Sequence, residues 1–204
     1  MKRTIKFVLI SLIFNLVYST YHIILGITMH SWWFLTIGVY YAILSVARFA
    51  VIKSKGKGNI AIRFTGIILI LLSVPLAGTV ILAFAKDRGI IFNMIVMLAI
   101  ATYAFTKITI ATVNWIKARK STSTKLITLR NISFADAFVS IFSLQRSMLV
   151  SFEGMSETEI RIMNVATGSA VCIIVFLLGL NLLLTSGIVK FNKESKKNSI
   201  KLQS

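Results

Sequence analysis

The sequence is poor in the residues from which soluble domains and enzyme active sites are usually built. Only 6 of its 204 residues are acidic, and it contains 1 cysteine, 1 proline and 2 histidines. Charged residues make up 14% of the chain and apolar residues 56%, against about 25% and about 45–50% in soluble domains. A chain of this length cannot hide so much apolar surface from water, so the composition excludes an ordinary soluble fold.

The scarcity of chemically active side chains excludes several classes of protein. A single cysteine, Cys172, cannot form a disulfide framework. Two histidines cannot build a histidine-rich metal site, and the sequence contains no HExxH, GxSxG, P-loop or dinucleotide-binding glycine pattern. We therefore expect no enzyme activity, no catalytic residues, no metal and no cofactor.

The chain is strongly basic, with 23 Lys and Arg residues and a formal net charge of +17. A charge of this size is also typical of proteins that bind nucleic acid. Here, however, the charged residues lie between long apolar runs and do not cluster on one soluble face. We therefore predict that nucleic acid is not a partner and that the lipid bilayer is.

Six apolar runs are each long enough to cross a membrane. A helix rises 1.5 Å per residue, so a hydrocarbon layer about 30 Å thick requires about 20 residues. Backbone groups find no water there, so such runs cross as helices. The expected spans are residues 5–27, 33–52, 61–85, 90–112, 132–152 and 162–188. The sequence thus predicts an all-α polytopic membrane bundle of six helices over residues 1–189, followed by a basic, disordered tail at 190–204.

The positions of the basic residues predict how the helices are oriented. Seventeen of them fall in alternate connecting or terminal segments, at residues 2–6, 53–63, 117–130 and 190–201. The opposite segments hold only Lys86, Arg88 and Arg161, together with most of the acids. Since cytoplasmic loops carry the excess of Lys and Arg, we expect both termini in the cytoplasm. The expected location is the cytoplasmic membrane.

Three charged residues inside the apolar runs indicate a polar intramembrane site. Asp136 and Arg48 each lie about four residues from the cytoplasmic end of a span, and Lys107 lies near the same level. A charge in hydrocarbon costs about 2.5–3.5 kcal/mol, so such residues mark a paired or functional site. We predict that Asp136 pairs with Arg48, with Lys107 as the competing partner. The alternatives are a salt bridge that fixes helix order, or cations that extend to the interface.

The fifth predicted span carries a stripe of small polar residues on one face. At 100° per residue, its members fall within an arc of roughly 80°. They are Ser133, Asp136, Ser140, Ser143 and Ser147. Such a stripe should face other helices or water. Two interpretations remain open: close helix packing through serine hydroxyl groups, or a hydrated path.

Other polar residues lie near this site or stand alone. Tyr41 and Ser45 share a face with Arg48 on the second span, so they extend the candidate site. Asn15 is isolated in the first span, and an isolated asparagine there is typical of an interhelical hydrogen bond. Arg146 lies off the serine stripe, and we expect it to extend toward Glu153 or Glu157.

Four segments resemble a group of small six-span bacterial membrane proteins of no known activity. They are YYAILSVARF at 40–49, NWIKARK at 114–120, FVSIFSLQRSMLVSF at 138–152 and RIMNVATGSAVC at 161–172. The resemblance covers most of the chain and implies a membrane location with six spans. It also implies that the segments carrying Arg48 and the fifth span matter to the group. It implies no chemistry.

The sequence favours a small-solute or ion permease, or an accessory membrane subunit, with its polar site on the fifth helix. The alternative is a non-transporting partner protein that binds anionic lipid headgroups or another subunit through its basic cytoplasmic face. The oligomeric state and the identity of any solute are left open.

Overall fold

The computed structural model describes residues 2–54, 58–85, 93–119, 123–151 and 155–201. Within these ranges every regular element is an α-helix. The helices are α1 (Lys2–Thr28), α2 (Trp32–Lys53), α3 (Gly58–Ala85), α4 (Met94–Arg119), α5 (Thr124–Ser151) and α6 (Glu157–Lys201). All six are long and apolar enough to cross a membrane, so the prediction of an all-helical, multi-pass protein is confirmed at this level.

Two helices begin at least five residues earlier than the predicted spans. Helix α5 begins at Thr124 instead of residue 132, and its first turns pack Thr128 and Leu129 against the bundle. Helix α6 begins at Glu157 instead of residue 162 because Ser156 and Glu159 form a capping box. The carboxylate of Glu159 accepts hydrogen bonds from the backbone and the hydroxyl of Ser156, both at 2.8 Å. Polar residues therefore extend both helices beyond their hydrophobic parts.

Residues 190–201 form the last part of α6, where a disordered tail is expected. The backbone of α6 continues without interruption to Lys201, and residues 202–204 lie outside the described part of the chain. A helix that has already formed needs no new nucleation step, and Lys and Glu extend a helix readily. The backbone is therefore helical up to Lys201, whereas the sequence pattern predicts a disordered tail from residue 190.

A short turn at residues 29–31 joins α1 to α2. The backbone N–H of Ser31 donates to the carbonyl oxygen of Gly26 at 3.0 Å, and that of His30 donates to Ile27 at 3.4 Å. This pair of bonds is the Schellman arrangement that closes a helix C-terminus. His30 occupies the left-handed position with φ of 49°, where glycine is the usual residue. The turn makes α1 and α2 an antiparallel pair.

Helices α3 and α6 approach most closely where two glycines face each other. A Cβ atom on Gly179 would stand 2.9 Å from the carbonyl oxygen of Gly66, and a Cβ on Gly66 would stand 2.9 Å from that of Gly179. Real side chains do not tolerate such a distance to backbone atoms. The missing side chains therefore allow the two backbones to touch.

Helix α5 lies at the centre of the bundle. It packs against α2, α3, α4 and α6, and Asn15 connects it to α1. In an 18-residue apolar stretch of α5, 67% of the residues are buried inside the bundle, against 22% in the corresponding stretch of α4. The polar face of α5 thus packs against other helices, and the candidate site lies in the interior of the bundle.

Candidate functional site

The carboxylate of Asp136 is the centre of a buried charged cluster. Its Oδ2 atom accepts three hydrogen bonds from three helices: from Asn15 Nδ2 of α1 at 3.1 Å, Arg48 Nη2 of α2 at 3.0 Å and Lys107 Nζ of α4 at 2.8 Å. Asp136 and Arg48 are 1% exposed and Lys107 is 2% exposed. Both cations therefore bind one oxygen together, and they do not compete as alternatives. We call these four residues the Asp136 cluster.

Neighbouring polar and aromatic groups hold the cluster in place. Arg48 Nη1 donates to the hydroxyl oxygen of Ser11 on α1. The hydroxyl of Tyr103 donates to Asn15 Oδ1 at 3.2 Å, and its ring centre lies 5.0 Å from Lys107 Nζ. An ammonium ion at that distance from an aromatic ring is attracted to it. Each charged side chain is thus fixed by more than its ion pair.

The four serines of the polar stripe on α5 lie inside the bundle, at 1–8% exposure. Ser133 accepts a hydrogen bond from Asn114 Nδ2 of α4 at 3.0 Å and donates to the carbonyl oxygen of Leu129. Ser147 donates to the carbonyl oxygen of Ser143 in the same helix. These bonds are those expected of serines that pack helices together. The stripe faces the interior, as its pattern predicts.

Ser140 links the cluster to Tyr41. Its hydroxyl donates to the backbone carbonyl of Asp136 at 2.7 Å, so its oxygen accepts from the hydroxyl of Tyr41 at 2.8 Å. Ser45 is buried too, but it donates to the carbonyl oxygen of Tyr41 within α2. Of the two residues predicted to extend the site, Tyr41 therefore reaches α5, whereas the hydroxyl of Ser45 bonds within its own helix.

Two polar atoms of the cluster have no hydrogen-bond partner among the described residues. They are Asp136 Oδ1, an acceptor, and Arg48 Nε, a donor. A buried polar atom without a partner costs free energy, about 1–3 kcal/mol. The cluster also holds two cations and one carboxylate, which leaves one positive charge in excess. The site is therefore incomplete in hydrogen bonds and in charge.

Sequence reasoning did not place Asn15, Ser11, Tyr103 or Asn114 in this site. A neutral polar residue in an apolar run costs less than a charge, so its position gives a weaker signal. Asn15 carried such a signal, since an interhelical hydrogen bond was expected of it. Its partner is not deducible without the packing of α1 against α5.

Arg146 also lies inside the bundle, at 4% exposure. Its guanidinium carbon stands 4.2 Å from the ring centre of Trp33 on α2, a cation–π geometry. Glu153, one of its expected partners, lies outside the described residues. Glu157, the other, is exposed at the start of α6. Stacking on Trp33 was not foreseen, and it explains how this cation is accommodated away from the helix end.

The described side chains also bear on whether the protein could hold a metal ion. Within the part of the chain that the structure describes, no three His, Cys, Asp or Glu side chains lie close enough together to hold a metal ion. The acceptor atoms of the Asp136 cluster belong to one carboxylate and one amide, and two cations occupy the space beside them. The arrangement suits a group that accepts hydrogen bonds and carries negative charge.

Comparison with known proteins adds no family to these observations. No protein-family model matches the chain, and no curated protein is significantly similar to it.

Proposed function

We propose that this protein is a small-solute or ion permease, or the accessory membrane subunit of one, with its solute site at the Asp136 cluster. The observation that carries the proposal is the presence of two buried cations on a single carboxylate oxygen. One cation is enough to neutralise Asp136. The second, Lys107, adds the cost of burying a charge for which no further acid of the described part of the chain serves as a partner.

A purely structural role explains this arrangement less well. Buried ion pairs contribute little net stability because desolvation offsets their attraction. A structural pair on α2 and α5 would need only Arg48 and Asp136. An ionisable residue deep in a membrane bundle is by default a functional candidate, on a solute path or a proton relay. The excess charge therefore supports a transport site over helix packing alone.

The proposal includes a location and an orientation. We place the chain in the bacterial cytoplasmic membrane with both termini in the cytoplasm, because the basic residues fall in alternate segments. Fusing a reporter that works only outside the cytoplasm to residue 204, and separately to a position in the 29–31 turn, tests this. We expect activity from the second fusion only, and activity from the C-terminal fusion would contradict the orientation.

Reconstitution tests the transport activity directly. The full chain in proteoliposomes is examined with osmotic swelling for neutral solutes and a potential-sensitive dye for ions. We expect flux of at least one solute above that of empty liposomes, and a loss of this flux in Asp136→Asn. Val46→Ala, on the outward face of α2 at 61% exposure, is the matched control. If none of the neutral solutes and ions tested crosses faster than in empty liposomes, the permease proposal is contradicted.

Thiol labelling tests whether water reaches the serine face. In a Cys172→Ala background the chain has no other cysteine. Ser140→Cys and Ser143→Cys should react with a polar thiol reagent if a hydrated path passes along α5. Met155→Cys, ahead of α6, gives the rate for full access, and Val46→Cys gives the rate for a lipid-facing position. Complete protection at both serine positions would favour the packing interpretation.

The second candidate function is a non-transporting partner protein. One contact favours it: Lys125 Nζ, near the start of α5, donates to the carbonyl oxygen of Ile52 at 3.5 Å. This contact places Lys125 and Lys53 at the same end of the bundle, which fits a basic surface for anionic headgroups. Replacing Lys53 and Lys125 with Gln should reduce co-purification of anionic lipid. If this double change abolishes the protein's function in cells while Asp136→Asn preserves it, the result supports the partner role and contradicts the permease role.

A further inference from the structure

Among the described residues, Asp136 is the only acid that forms an ion pair with Arg48 or Lys107. Asp136 is the only acidic residue in the interior of the predicted spans. The other acids lie between helices or toward helix ends in the sequence. They are Asp87, Glu153, Glu157, Glu159 and Glu194. Arg48 and Lys107 both contact Asp136, so the cluster has one positive charge more than its carboxylate neutralises. A buried charge without a partner is unfavourable, and binding of a counter-ion would neutralise it.

The hydrogen-bonding atoms of the cluster that have no partner indicate which groups that counter-ion must carry. The guanidinium of Arg48 is held through Nη1 by Ser11 and through Nη2 by Asp136, and its Nε–H group remains available. The carboxylate of Asp136 uses only Oδ2, and its Oδ1 remains available. The cluster thus offers one donor and one acceptor on two side chains in direct contact, both 1% exposed.

A bare halide satisfies only the donor and is repelled by Oδ1. A water molecule satisfies both atoms but leaves the charge in excess. An anion with its own hydroxyl group meets all three conditions: its charge neutralises the cluster, one oxygen accepts from Arg48 Nε, and its O–H donates to Asp136 Oδ1. Charge-assisted bonds of this kind are the stronger ones.

We infer that the Asp136 cluster binds a small monovalent oxyanion that carries its own hydrogen, the chemistry of bicarbonate. Lys107 and Arg48 supply the attraction, and Oδ1 of Asp136 selects the hydrogen. This inference rests on the proposed function, because it names the class of solute that the same site takes.

Thermal unfolding of the purified full chain in detergent tests the binding. Sodium bicarbonate is compared with sodium formate at equal ionic strength and pH, because formate has the same carboxylate and lacks the hydroxyl group. A ligand that binds the folded state raises its stability in proportion to the logarithm of its concentration. We expect bicarbonate to raise the midpoint and to bind about tenfold or more tightly than formate. Equal effects of the two salts, or no effect of either, would overturn the inference.

Variants that change the charge of the cluster make the test specific. Lys107→Met removes the excess charge by deleting a cation, and Asn15→Asp removes it by adding a carboxylate. Both should lose the bicarbonate effect, although they change opposite kinds of group. Lys53→Met, at an exposed position near the end of α2, should keep the effect. Retention of the effect in both cluster variants would overturn the inference. If neither variant folds, the comparison of bicarbonate with formate on the unmodified protein still decides.

The outcomes separate this inference from the proposed permease function. Bicarbonate-specific stabilisation without flux of any solute supports the anion site and overturns the permease. Flux of a cation or a neutral solute, without bicarbonate-specific stabilisation, leaves the permease and overturns the anion site.

Discussion

Asn15 Nδ2 lies 3.1 Å from Oδ2 of Asp136, although 121 positions separate the two residues in the sequence. The same amide accepts a hydrogen bond through Oδ1 from the hydroxyl of Tyr103. One neutral side chain on α1 thus joins α4 to the carboxylate on α5. It does so without adding a charge, which distinguishes it from Arg48 and Lys107.

Replacing Asn15 should therefore destabilise the bundle more than its neutrality suggests. Asn15→Leu removes both hydrogen bonds and leaves the hydroxyl of Tyr103 without that acceptor, at a cost of about 1 kcal/mol for each bond. We expect a loss of about 2 kcal/mol in the free energy of unfolding, measured by denaturant titration in detergent. Asn181→Leu, at an exposed position on α6, is the control. An equal loss in both variants would show that Asn15 contributes no more than an exposed asparagine.

The three charged residues should differ in how much their removal costs. Asp136→Ala leaves Arg48 and Lys107 as two buried cations beside each other, so we expect a loss of about 3–5 kcal/mol. Lys107→Met keeps the pair of Asp136 with Arg48 intact and should cost less. Thermal unfolding of both variants in a buffer that contains neither bicarbonate nor a carboxylate salt gives the order. A larger cost for Lys107→Met would indicate that the ammonium group is the main partner of Asp136.

The contact of α3 with α6 predicts that the same substitution of a glycine in α6 costs much stability at one position and little at another. Gly179→Val would place side-chain atoms against Gly66 and Ile70, where a Cβ alone already stands 2.9 Å and 2.8 Å from neighbouring atoms. Overpacking of this kind costs about 1–3 kcal/mol. At Gly187 nothing lies within 4 Å of an added Cβ, so Gly187→Val is the matched control and should leave the unfolding midpoint almost unchanged. Equal midpoints for the two variants would contradict the close approach.

The turn between α1 and α2 predicts a stabilising substitution. His30 holds a φ of 49°, a conformation that costs a side chain with a Cβ atom about 1 kcal/mol more than glycine. His30→Gly should therefore raise the free energy of unfolding by up to about 1 kcal/mol, and His30→Val should lower it. The two variants are compared by thermal unfolding. A lower midpoint for His30→Gly would mean that the imidazole makes a contact worth more than the strain.

The sequence was sufficient to find the helices and the charged residues of the site, since each depends on the cost of burying polar groups in hydrocarbon. Arg48, Lys107 and Asp136 stood out because an ionised side chain in an apolar run is expensive. Their sharing of one oxygen depends on the rotation of three helices, which no local pattern encodes. The start of α6 was available from the capping box of Ser156 and Glu159, whereas the contact of Gly66 with Gly179 depends on the packing of two helices.

The partners of Asp136 also have a consequence for biosynthesis. Asn15, Arg48 and Lys107 all precede Asp136 in the chain, so the ribosome has already made these three partners of its carboxylate when α5 emerges. Helix α5 can thus pack directly against helices that have already been made, and its carboxylate need not be buried without its partners. A chain cut after α4 would instead hold Arg48 and Lys107 without the carboxylate that both of them contact.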